Sequence, residues 1–240
     1  MVFVVFSSIA LMYGSQLGHW SFGWTFVPYV VGFIILFWGV VSIDSQMFVK
    51  TECSFVPKGK EVMLTFDDGP DPIKTPEIIE LLEKYKAKGV FFCIGKKIDQ
   101  HPETAKLIVK KGHVIGSHSY FHGNLFDVLP TKKVAAELYQ TEQAIKNATG
   151  KDCEFFRPPY GITNPNIGRA LKQFKYRVIG WNLRSLDTMI HNPEKLQNRV
   201  LKRIKPGSII LLHDTAPAVL PVLESLLVYL KENGYKTKLP

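Results

Sequence analysis

Carboxylates and imidazoles recur at short spacings in this chain. Asp67 and Asp68 stand side by side before Gly69-Pro70, His118 and His122 form a His-x-x-x-His pair, Arg157 opens an Arg-Pro-Pro-Tyr-Gly run, Asp187 stands alone, and His213-Asp214 follow Leu211-Leu212. These side chains hold divalent metals and carry protons near neutral pH, so the chemistry open to them is metal binding and acid–base catalysis. Singly, each has a plain structural reading. Two aspartates before Gly-Pro make a solvated turn, consecutive prolines stiffen a loop, and Leu-Leu-His-Asp ends a buried strand with one surface charge. A histidine pair at this spacing also arises by chance. Their joint occurrence, in order, is what argues for a site.

Such residues act together only if the fold delivers them to one place. From Glu61 onward short apolar runs alternate with longer amphipathic ones, the pattern of parallel strands joined by helices. Strands are predicted over 62–66, 90–94, 113–116, 154–156, 176–181 and 208–212. Helices are predicted over 102–111, 131–149, 165–174, 193–204 and 217–232, and another from an N-cap at Thr75 towards Gly89. On this map Asp67 and Asp68 follow the first strand, the histidine pair the third, Arg157 the fourth and Asp187 the fifth, while His213 ends the sixth. All share one end of the sheet, where barrels of parallel strands build their active sites.

The chain has 240 residues, 46% of them apolar, which suffices for one sizeable core and excludes disorder. Thirty Lys and Arg against 21 Asp and Glu give a net charge of +9, yet residues 1–43 carry no charged side chain. Residues 24–43 reach roughly 30 Å as a helix, enough to cross a bilayer core, with Trp20 and Trp24 suited to the headgroup belt. The earlier run, 2–13, spans only if extended to Leu17. The first 43 residues are therefore expected to be a membrane anchor of one or two helices, 44–59 a linker and 60–240 the catalytic domain; a buried hairpin of a soluble protein is the alternative for the anchor. No Lys or Arg supplies the n-region of a signal peptide. Lys50, Lys58 and Lys60 after the second run favour a cytoplasmic domain by the positive-inside rule. The three cysteines, Cys53, Cys93 and Cys153, are expected to be buried and unpaired. Nucleic acid is excluded as a partner because the basic residues are interleaved with acids and no binding motif appears.

Five ordered motifs carry a resemblance: Thr65-Phe66-Asp67-Asp68-Gly69-Pro70, His118-Ser119-x-x-His122, Arg157-Pro158-Pro159-Tyr160-Gly161, the stretch from Trp181 to Asp187, and Leu211-Leu212-His213. Together they resemble the polysaccharide deacetylase family, the NodB-homology domain of carbohydrate esterase family 4, over about 60–235. The resemblance implies an α/β fold, a distorted and shortened (β/α) barrel, here behind an N-terminal hydrophobic membrane segment. It implies Asp68, His118 and His122 as ligands of one divalent metal, zinc by donor set. Asp67 would be the general base, paired with Arg157, and His213 the general acid, oriented by Asp187. A backbone N–H near Tyr160 would hold the oxyanion, with Leu211 and Thr188 beside the acyl methyl group.

The chain departs from the family pattern at Val90, where a threonine is usual, and more seriously at Arg184 and Thr188, where an aspartate and a tryptophan are usual. The second departure bears on the acyl pocket, and Arg184 would favour an acidic or phosphorylated substrate if it faces the mouth. The expected activity is metal-dependent removal of N-acetyl groups from amino sugars of a cell-envelope polysaccharide, which places the domain on the envelope side, against the lysine bias. A deacylase of lipid-linked sugars is the second reading, favoured by the anchor and the positive charge. A non-catalytic glycan-binding module is the third, and it requires neither base, acid nor metal ligands.

Overall fold

The computed structural model describes residues 2–18 and 22–240; Trp20, expected at a headgroup belt, lies outside them. The chain opens with α1 (Val2–Gln16), and a 3-10 turn at Phe22–Phe26 leads into α2 (Val27–Val41). Gly23–Val41, 19 residues with mean hydropathy 2.0, is long and apolar enough to cross a membrane. At 15 residues α1 is shorter than the roughly 20 a span needs, so among the described residues only the second apolar run is of span length. The body of α2 leaves Phe33, Ile34 and Phe37 exposed. Its last turn docks, with the Val40 carbonyl accepting from the Thr163 backbone N–H at 3.0 Å.

The α/β body follows as β1 (Thr51–Glu52), β2 (Glu61–Gly69), α3 (Lys74–Lys84), β3 (Gly89–Cys93), α4 (Gly95–Gln100), α5 (Pro102–Lys110) and β4 (Val114–Ser117). Then come α6 (Thr131–Thr149), β5 (Phe155–Phe156), α7 (Pro165–Leu171), β6 (Arg177–Ile179), β7 (Leu183–Arg184), α8 (Pro193–Leu201), β8 (Ile209–His213), α9 (Val219–Glu232) and β9 (Lys236–Thr237). The strands run in the order β1-β6-β5-β4-β3-β2-β8-β7, every pair parallel, with β9 added to the start of β2. The sheet is curled and remains open between β1 and β7, a half-barrel wrapped by helices, as the resemblance implied.

Both faces of the sheet are buried, which is why its strands read as apolar runs rather than alternations. One face of β2 (Val62, Leu64, Phe66) packs on helix side chains such as Ile78, Leu82, Leu223 and Leu226. On the inner face Met63 joins Val90, Phe92, Phe155, Ile179 and Ile209 as the floor of the barrel. Because alternate strand residues share a face, columns rise from this floor: Met63-Thr65-Asp67 on β2, Ile209-Leu211-His213 on β8, and Val114-Gly116-His118 on and just beyond β4. Each column ends in a chemically capable side chain at the C-terminal end of the sheet. Gly116 is required, since a Cβ there would stand 2.9 Å from the Phe92 ring.

The structure corrects several local expectations. Residues 44–59, expected as a linker, contribute β1, which pairs with β6, and bury Val49 and Thr51. Thr75 is not an N-cap but lies inside α3; the Asp71 carboxylate accepts from the N–H groups of Ile73 and Lys74, at 2.9 and 2.8 Å. That helix stops at Lys84, well short of Gly89, because the chain turns through a left-handed Lys86. Of the cysteines, all unpaired, Cys93 is buried, whereas Cys53 and Cys153 are half-buried.

Candidate active site

Two adjacent strand residues ordinarily point to opposite faces, which would separate Asp67 from Asp68. A β-bulge prevents this: Asp67 pairs with Phe92 and Gly69 with Cys93, so Asp68 is skipped and takes a left-handed φ of 71°. Both carboxylates thereby reach one mouth, with His118 Nε2 3.7 Å from Asp67 Oδ2 and also 3.7 Å from Asp68 Oδ1. Gly69 closes the bulge against the Asp214 carboxylate, leaving no room for a side chain.

His118 binds the Arg157 carbonyl through Nδ1 at 2.8 Å. A carbonyl only accepts, so the ring proton sits on Nδ1 and the Nε2 lone pair faces Asp68. His122 reaches the same point from a loop, not a helix: Ser119 and His122 are both left-handed, and the Ser119 hydroxyl accepts from the His122 N–H at 3.0 Å. Glu137 on α6 fixes this loop by accepting from the N–H groups of Tyr120 and Phe121. His122 Nε2 lies 3.4 Å from Asp68 Oδ1. Burial, reinforced by His118, pulls the His122 imidazole below its ordinary pKa and favours the neutral ring that metals bind. Burial pushes the Asp68 carboxyl up, but His118, His122, His213 and Lys97 together outweigh it and hold it low. One ligand atom from each of Asp68, His118 and His122 lies within 4.8 Å of the others. Asp68 Oδ1 is buried without a hydrogen-bond partner, an orphaned acceptor between two imidazole nitrogens, so this set fits a divalent cation.

Arg157 lies wholly buried behind Asp67. Its Nη1 donates to Asp67 Oδ1 at 2.7 Å and Thr65 Oγ1 at 2.8 Å, Nε donates to the Ile179 carbonyl at 2.9 Å, and Nη2 to the Gly180 carbonyl at 2.7 Å. Its guanidinium also rests on the Phe92 ring, 4.2 Å from the centroid. Across the mouth Asp187, fully buried, binds His213 twice, through Nδ1 at 2.7 Å and through the backbone N–H at 2.8 Å. Burial pulls the His213 imidazole down, but the Asp187 hydrogen bond and charge, with Asp67 and Asp68, leave it above its ordinary value. With Nδ1 committed to Asp187, Nε2 is the nitrogen available for proton transfer.

Asp67, Asp68, His118, His122 and His213 line a cavity of about 160 Å³ together with Tyr160, Trp181, Arg184, Thr188 and Leu211, while Arg157 and Asp187 lie buried behind Asp67 and His213. Tyr160 is left-handed at φ 59°, with its ring 4.9 Å from that of His122. Arg184 is exposed yet lines the mouth, its guanidinium 5.9 Å from the Trp181 ring centroid. The structure thus brings together all ten residues singled out in the sequence. The motifs include Thr65 and Trp181 without giving them a role, and the structure places Thr65 under Arg157 and Trp181 in the cavity wall; period-two spacing from Asp67 is a signal for the first. A larger cleft of about 760 Å³ beside α6 holds no comparable cluster.

Residues 56–179 match the family model described as polysaccharide deacetylase. A peptidoglycan-N-acetylglucosamine deacetylase of Bacillus cereus is 33% identical over 178 residues, covering 72% of this chain; the match spans 64% of that relative's length. The solved peptidoglycan deacetylase PdaC of Bacillus subtilis superposes with TM-score 0.71 at 31% identity, over 76% of this chain and 89% of that one. BA3943 of Bacillus anthracis, described as a CE4 family pseudoenzyme, superposes with TM-score 0.71 at 30% identity, over 77% and 65% of the two chains. The ordered motifs, the half-barrel and these matches agree, and the chain belongs to the polysaccharide deacetylase family.

Proposed function

We propose that this protein is a metal-dependent hydrolase that removes N-acetyl groups from amino sugars of the cell wall. The observation that carries the reading is the orphaned Asp68 oxygen beside two imidazole nitrogens, flanked by the Arg157–Asp67 and Asp187–His213 pairs. Asp68, His118 and His122 would hold one divalent cation, zinc by donor set, which when bound supplies Lewis-acid polarisation of the acyl carbonyl and acidifies water.

The chain's own residues do the rest. Asp67, its carboxylate held by the Arg157 fork, takes a proton from the attacking water. Water oxygen adds to the amide carbon while the Tyr160 backbone N–H faces the developing oxyanion. His213, positioned by Asp187, gives its Nε2 proton to the amide nitrogen as the C–N bond breaks, so acetate and a free amine leave. Leu211 and Thr188 flank the acyl methyl group. The three-domain reading becomes an N-terminal anchor over 1–43, a segment over 44–59 that contributes an edge strand, and a catalytic body over 60–240, with the membrane as a partner.

The test is acetate release from N-acetylated peptidoglycan by metal-loaded protein, with a chelated control. Release that survives chelation sinks the metal assignment, and no release from any amino-sugar substrate sinks the activity. The second outcome would favour a non-catalytic glycan-binding module.

A further inference from the structure

Large apolar side chains left on a surface are ordinarily scattered. Beyond residue 47 this chain exposes eight, and six of them, Ile73, Phe121, Leu125, Val128, Tyr160 and Met189, stand on the connections that leave the C-terminal ends of the strands around the mouth. They come from four separate connections: β2 to α3, β4 to α6, β5 to α7 and β7 to α8. Met189 is 72% exposed and Leu125 68%, more than core packing explains. No single loop's composition accounts for a ring assembled from four.

The apolar span joins the protein at this same rim. The last turn of α2 is bonded to Thr163, which lies in the β5–α7 connection that carries Tyr160. The rest of α2 presents Phe33, Ile34 and Phe37 to its surroundings. A bilayer that covers this helix therefore lies next to the ring of apolar side chains. Inside the ring, Arg184 sets a cation at the edge of the cavity, where it suits a phosphate on the substrate's reducing end.

We propose that the mouth rests on the membrane surface, with the apolar ring in the headgroup layer, and that the site takes an amino sugar carried on a phosphate-bearing lipid. The substrate half of this inference rests on the deacetylase reading; the membrane contact does not. The ring dips into the interface as exposed apolar side chains beside a span do, and it holds the cavity at headgroup depth. Arg184 meets the phosphate linking sugar to lipid.

The test uses the full chain in vesicles of phosphatidylethanolamine and phosphatidylglycerol. Nitroxides on Leu125→Cys and Met189→Cys, with the label taken by the parent's own cysteines as blank, should collide more with oxygen than with an aqueous nickel complex. Labels on Val56→Cys and Tyr139→Cys, on other faces, should show the reverse. Equal aqueous exposure at all four positions overturns the contact. In the same vesicles the triple variant Leu125→Ser, Val128→Ser, Met189→Ser should lose about tenfold or more of its turnover of N-acetylglucosaminyl-phosphoryl-polyprenol, through misplacement of the substrate, and keep a soluble N-acetylglucosamine oligomer within about twofold. An equal fall on both substrates, or none, refutes the lipid carrier. A parent active only on the soluble oligomer refutes it too and leaves the deacetylase reading standing. A parent active on neither overturns that reading, while the label depths still decide the contact.

Discussion

Arg157→Lys isolates what a planar guanidinium does beneath Asp67. The arginine serves four acceptors: Asp67, Thr65, and the carbonyls of Ile179 and Gly180. A lysine ammonium keeps the charge but offers a single point, so while it follows Asp67 and Thr65 it abandons the two carbonyls. Each buried acceptor left unpaired costs about 1–3 kcal/mol, so the variant should lose about 2–6 kcal/mol. That is a large share of the roughly 5–15 kcal/mol that keeps a domain folded, yet it leaves measurable native protein. Urea unfolding of the full chain in detergent, followed by tryptophan fluorescence, reads the loss. Metal content should be unchanged, because Arg157 is not a ligand, while kcat falls with the misdirected Asp67. A loss below about 1 kcal/mol would refute the claim that the fork, rather than the charge, carries this position.

Asp187→Asn removes the charge that raises His213 and one of the two carboxylate acceptors that hold it; the alkaline limb of kcat/KM should move to lower pH, and an unmoved limb means that His213 is not the proton donor. Elemental analysis should find one equivalent of divalent metal in the parent and none in the His118→Ala, His122→Ala double variant, and an equivalent retained by the variant removes this pair from the metal site. Thr188→Trp restores the usual aromatic wall and should shift the acetyl-to-propionyl ratio by about 1–3 kcal/mol equivalent, seen as competing rates; an unchanged ratio removes position 188 from the pocket. Burial lowers His113 to about 4, and its Nδ1 accepts from the Gly89 N–H. Its folded value lies below the unfolded one, so stability present above about pH 6.5 should drain by about 3 kcal/mol as pH falls towards 4, and His113→Gln should flatten that part of a urea-midpoint profile.

How far the sequence discloses this site depends on the length scale of each feature. The strand-and-helix alternation places Asp67, His118, Arg157, Asp187 and His213 at one sheet end because the longer helices show their period, whereas the six-residue α4 is too short to be read. Strands of two residues carry no readable period; β5 shows only through its paired phenylalanines, while β1, β7 and β9 do not show, and β1 lies in a stretch that reads as a connection. The convergence of Asp67 with Asp68 depends on one left-handed residue and a skipped pairing. Asp is merely tolerant of that conformation, so nothing in the residue type announces it. The same holds for the loop of His122, whose turn is made by Ser119 and His122 themselves.

The pseudoenzyme relative demonstrates that this barrel can outlive its chemistry, so membership of the family does not by itself argue for catalysis. The cost of the site is what favours catalysis. A buried carboxylate oxygen without a donor, beside an imidazole whose lone pair is fixed towards it, is a penalty that a plain binding surface would have no reason to keep. A second buried carboxylate, Asp67, takes a whole arginine from the barrel interior, and a third, Asp187, is spent on one histidine. Each arrangement holds a proton-active group in one orientation at the mouth. A lectin gains nothing from a fixed tautomer, whereas a hydrolase depends on it, because water must lose a proton on one side of the acyl carbon and the amine must receive one on the other.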